Sequence, residues 1–63
     1  MLGKRYKLEI WLEKTMIPLT FNNKENLYLL MFSLHSINSI LLYIIWDVKY
    51  NQLLDVITPK EDN

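Results

Sequence analysis

The chain has 63 residues, half of them apolar (51%), with equal numbers of basic and acidic side chains and no cysteine. This leaves one domain over residues 1–63 and excludes disulfides and thiolate metal sites. The neutral balance also excludes the strong basic excess of a nucleic-acid binder and the dense acidic face of a DNA mimic.

Domains this small gain stability from disulfides, metals, oligomerisation or unusually dense apolar packing. Disulfides are excluded, and the single histidine, His35, cannot build a structural zinc site alone. Oligomerisation or dense packing remains. There is no alanine, one glycine and one arginine. Such a skew points to an AT-rich genome, as in low-GC bacteria, their phages and some parasites.

The start of the chain has no apolar run before position 27, so no signal peptide is read and a cytoplasmic location is expected. Residues 5–13 alternate. Tyr6, Leu8, Ile10 and Leu12 share one side; Arg5, Lys7, Glu9, Glu13 and Trp11 share the other. Period two over this length predicts a half-buried strand. Lys14 to Met16 closes a hairpin onto a second strand, Ile17 to Phe21. Pro18 cannot donate to a ladder, so this strand belongs at a sheet edge.

Asn22 can cap a helix, with Glu25 three residues on reaching back to the cap. The helix is expected over 23–36, with Leu27, Leu30, Met31 and Leu34 as its apolar stripe. Ser36, Asn38 and Ser39 favour turns over helix interiors and end it. Ile40 to Val48 is apolar, aromatic and β-branched, and reads as a strand buried on both faces. Lys49 to Asn51 is a turn. Leu53 to Thr58 is a fourth strand or a short helix, and 58–63 is a flexible tail. The fold class is therefore α+β, in the order β-β-α-β(-β), with one helix on a mixed or antiparallel sheet.

One helix covers only one face of a sheet. The expected outer face carries Trp11, Leu41, Tyr43 and Ile45, a contiguous apolar surface that marks an interface. The expectation is a non-enzymatic interaction protein, a homodimer that binds a protein partner, with inhibition of that partner as one possible outcome. The order of elements resembles that of very short phage and mobile-element proteins, including a small dimeric class of phage uracil-DNA glycosylase inhibitors. That resemblance implies a dimer that blocks a host enzyme, although the neutral charge departs from the acidic face of such a mimic.

Two alternatives stand beside it. Residues 27–46 have transmembrane length, with 15 of 20 apolar and none acidic, but Ser33, His35, Ser36, Asn38 and Ser39 sit at the centre, where polar groups cost most. Lys4, Arg5 and Lys7, interleaved with Tyr6, could contact phosphate weakly, or form the lysine-guarded edge of a strand. His35 near a helix C-terminus and Asp47 at a strand end read as structural groups, Asp47 in water or paired with a lysine. No spacing brings together a catalytic pair, and no glycine-rich loop exists. No cofactor, metal or small-molecule substrate is expected.

Overall fold

The alternation at the start of the chain becomes strand β1, Tyr6–Trp11, in the computed structural model, which describes residues 4–59. Leu12 N–H bonds the Thr15 carbonyl at 2.9 Å and closes a tight connection. Strand β1 therefore stops at Trp11 and does not continue to Glu13. Strand β2, Met16–Phe21, returns antiparallel, with Leu8 opposite Leu19 and Ile10 opposite Ile17. Pro18 places β2 at a sheet edge, as its missing donor requires.

Helix α1 runs Lys24–Ser33. Asn23, in extended backbone, is the cap; its side-chain oxygen accepts from Asn26 N–H at 2.9 Å. The cap lies one residue later than Asn22. The helix also ends three residues before Ser36, with turns over 34–36 that leave Ser36, Asn38 and Ser39 outside it. The side chains that α1 buries are Leu27 and Met31, one turn apart on one stripe.

Strand β3, Leu42–Asp47, pairs antiparallel with β1, and strand β4, Gln52–Ile57, pairs antiparallel with β3. The sheet order is β2-β1-β3-β4, entirely antiparallel, with α1 on one face. Residues 53–58 are thus resolved as strand up to Ile57. The β3–β4 turn needs left-handed backbone at Asn51 (φ 53°), a conformation that asparagine tolerates better than most residues. Of the tail expected at 58–63, residues 60–63 lie outside the described residues.

The core is Leu8, Ile10, Leu27, Met31, Ile40, Tyr43 and Ile45. The stretch 27–46, considered above as a single span, is divided among α1, a turn region and β3. Among the described residues, no helix is long and apolar enough to cross a membrane.

Candidate functional site

The register between β1 and β3 decides which side chains face outward. Leu8 lies opposite Ile45 and Ile10 opposite Tyr43. Directly opposed residues share a face, so Tyr43 and Ile45 join Leu8 and Ile10 on the face that carries the helix. They are 2% and 0% exposed. The expectation that Tyr43 and Ile45 sit on the outer face is therefore corrected: they are core. Trp11 does lie on the outer face, 38% exposed, and Leu41 is exposed just before β3, its N–H bonded to the Trp11 carbonyl at 2.8 Å.

The outer face is built from the other parity. Leu42 stands opposite Trp11, Ile44 opposite Glu9 and Trp46 opposite Lys7. On the far side, Val56 pairs with Ile44 and Leu53 with Trp46, across a bulge that inserts Leu54. Leu42, Ile44 and Trp46 are half-buried; Leu53, Leu54 and Val56 are exposed. Strand β3 is thus buried on one face only, and its second apolar face is open. No element covers this face among the described residues.

The charges on this face are neutralised locally. Lys7 Nζ lies 3.3 Å from Glu9 Oε2, and Trp11 Nε1–H donates to Glu9 Oε1 at 3.1 Å. Glu9 therefore has a partner on each oxygen and is largely shielded by its neighbours. Arg5 pairs elsewhere. Its Nη2 donates to Asp47 Oδ2 at 3.0 Å, and its Nε lies 3.3 Å from both carboxylate oxygens. Asp47 Oδ1 also accepts from the Lys49 and Tyr50 N–H groups at 3.1 and 3.4 Å. The hydrogen bond and attraction of Arg5 hold the Asp47 carboxyl below its ordinary 3.8, with the two turn N–H groups adding to this. Asp47 is thus a strand-end carboxylate bound to arginine rather than to lysine or water. Of the expected basic cluster, Arg5 and Lys7 each have an acidic partner, and Lys4 is exposed.

Both sheet edges carry protection. Strand β2 has Pro18 at its middle. On β4 the Asp55 side chain accepts from the Val56 N–H at 2.9 Å, beside the bulge at Leu54. Prolines, bulges and charged side chains are the usual guards against edge pairing.

The inner face has a gap of its own. The backbone of α1 lies over β1 and β2 and does not reach β3 or β4. Between them a pocket of about 240 Å³ opens, lined by Tyr28, Met31, Phe32, His35, Tyr43, Ile57 and Pro59. The Tyr43 hydroxyl is shielded from solvent without a hydrogen-bond partner, and burial pushes its pKa above 10. His35 is exposed at the pocket rim, its backbone N–H bonded to the Phe32 carbonyl at 3.1 Å. Among the described residues no group of three or more His, Cys, Asp or Glu is placed to hold a metal ion.

Residue spacing did not reveal the half-open strand β3 or the pocket. Strand β3 is apolar at every position from Leu42 to Trp46, so period two is absent and parity cannot be read from it. The only signal was indirect: the charged parity of β1 (Lys7, Glu9) marks its outward side, and that side must match whatever pairs with it. Comparison of the chain with protein-family models, curated proteins and solved structures gives no match.

Proposed function

We propose that this chain is a non-enzymatic interaction protein that works as a homodimer and binds a protein partner. The observation that carries the reading is the uncovered outer sheet face, where Trp11, Leu42, Ile44, Trp46, Leu53 and Val56 lie on one surface.

A second copy suits that face for three reasons. The net charge is zero, so copies do not repel one another at long range. The only charged residues pointing to it from β1 are the Lys7–Glu9 pair, which already satisfies itself and tolerates cover better than a lone charge. Edge-to-edge pairing is blocked at Pro18 and at Asp55, which leaves the face as the route of association.

Size sets the strength. Four strands about 4.8 Å apart and six residues long give a face of roughly 20 by 20 Å, or about 400 Å² in projection. That matches the functional patches of small monomers and falls below the roughly 800 Å² per partner of a standard stable interface. The dimer is therefore concentration-dependent. Light scattering across a dilution series tests it. The native chain should pass from twice 7.6 kDa to 7.6 kDa on dilution. Val56→Asp, at an exposed position that the monomer fold does not need, should stay at the lower mass throughout. A native chain that is monomeric at millimolar concentration would sink the reading.

A further inference from the structure

We infer that the end of the sheet where α1 begins is a binding site for single-stranded nucleic acid, built from Lys4, Arg5, Tyr6, Lys24, Lys49 and Tyr50. The site uses none of the outer-face residues assigned to the dimer, so the two readings fail separately.

Topology brings these residues together. Tyr6 opens β1 and stands opposite Phe21, the last residue of β2, and Asp47, the last residue of β3. Helix α1 starts at Lys24, just after β2, and the β3–β4 turn carries Lys49 and Tyr50. The Val48 N–H bonds the Arg5 carbonyl at 2.7 Å and ties that turn to the start of β1. The basic cluster expected at Lys4, Arg5 and Lys7 is thus redrawn. Lys7 belongs to the outer face with Glu9, and Lys24 and Lys49 take its place.

Charge is the first observation. The chain as a whole is neutral, but its charges are unevenly spread. Among the described residues this end holds four of six cations, Lys4, Arg5, Lys24 and Lys49, and two of five carboxylates, Glu25 and Asp47. Asp47 is taken up by Arg5. Lys4, Lys24 and Lys49 are exposed and have no acidic partner among the described residues. A local cluster of one sign draws in a ligand of the other.

The second observation is the rings between the cations. Lys24 Nζ lies 6.0 Å from the Tyr6 ring centre, and the Arg5 guanidinium lies 5.1 Å from the same ring and 5.2 Å from that of Tyr50. Lys49 Nζ is 5.4 Å from the Tyr50 ring. Cation and ring therefore alternate along one line of contacts, Lys24, Tyr6, Arg5, Tyr50, Lys49. Tyr50 is 60% exposed and belongs to no part of the core.

Together these features name the ligand class. A nucleic-acid strand is negative at every unit, and its unpaired bases stack on exposed aromatic rings while cations track the backbone. Free phosphate or a lipid headgroup would use the cations and leave the rings idle. A duplex keeps its base faces within its own stack.

The test is fluorescence anisotropy of labelled oligothymidylate titrated with the full chain at low salt. Binding should weaken as salt rises, with a log–log slope of about −2, as expected for one phosphate at each unpaired lysine. Lys24→Glu combined with Lys49→Glu, both at exposed positions, should abolish it. Lys14→Glu, in the hairpin at the opposite end, makes a like change of charge and should leave affinity within about twofold. Tyr50→Ala should weaken binding by about fivefold or more, the loss of one stacked base, with a urea midpoint close to the native one.

No binding at low salt overturns the site. An equal loss on Lys14→Glu overturns its location and leaves only net charge. Equal affinity for polyphosphate, which has no rings, or for duplex DNA overturns the assignment to a single strand. Binding to phosphatidylserine vesicles in place of the oligomer overturns it in favour of a membrane surface.

Discussion

The two halves of the sheet follow different rules. The β1–β2 half has α1 on its inner side and charged or polar residues such as Lys7, Glu9 and Thr20 on its outer side. The β3–β4 half has no helix backbone over it; its outer side is apolar at Leu42, Ile44, Trp46, Leu53 and Val56, while its inner side mixes Tyr43, Ile45 and Ile57 with Asp47, Gln52 and Asp55. A four-stranded sheet with one ten-residue helix cannot cover itself evenly. Here the shortfall is concentrated in one half, where the outer face at Ile44 and Val56 and the inner pocket at Tyr43 and Ile57 lie back to back. Both halves share the core, Leu8 and Ile10 from the first and Tyr43 and Ile45 from the second. The second half also carries the larger bare apolar surface.

The largest expected effect tests that division directly. Leu27 is fully buried between α1 and the sheet, and truncation of such a residue costs about 2–5 kcal/mol. A domain of this length has only about 3–9 kcal/mol in total. Leu27→Ala should therefore unfold most of the population in urea well before the native chain. Val56→Ala, in the bare half, should change stability by less than about 0.5 kcal/mol in dilute solution. Equal losses at the two positions would abolish the distinction between the halves.

The elements of the closed half are legible in the sequence because each has a local cause. Leu8 and Ile10 alternate with Lys7 and Glu9, Pro18 forces an edge, and the Asn22–Asn23 pair marks a helix start, read one residue early at Asn22, whose Leu27 and Met31 share a stripe. The open half is not legible in the same way. From Leu42 to Trp46 every side chain is apolar, so nothing local says which parity faces the helix. That choice is made by the register against β1, a long-range property, which assigns Tyr43 and Ile45 to the core and Leu42, Ile44 and Trp46 to the surface. The tertiary pairing of Arg5 with Asp47, 42 residues apart, is equally invisible to spacing.

That pair gives the next test, because it ties the start of β1 to the end of β3 and so joins the two halves. Asp47 is held below its ordinary carboxyl pKa in the folded chain. Its contribution to stability is thus fully present above the unfolded value near 3.8 and is lost as pH falls through the lower folded value. The native chain should lose stability on acidification below about pH 4. Asp47→Asn should be less stable at neutral pH and should lose less on acidification, so the two urea midpoints converge at low pH. A constant gap between them from pH 7 to pH 2 would mean that the carboxylate charge is not what joins the strands.

The last effect is a gain, and it lies on the inner side of β3. Tyr43→Phe keeps the ring, which belongs to one core cluster with Leu27 and Ile45, and removes only the shielded hydroxyl. A buried group without a partner costs about 1–3 kcal/mol, so its removal should stabilise the free chain by about 1 kcal/mol. For a domain of this size that is a rise of about 4–8 °C in melting temperature. The same change made in a well-satisfied core would lower it. A rise in Tm would identify the Tyr43 hydroxyl as a group that costs the fold stability. A fall would mean that the hydroxyl already has a partner in solution.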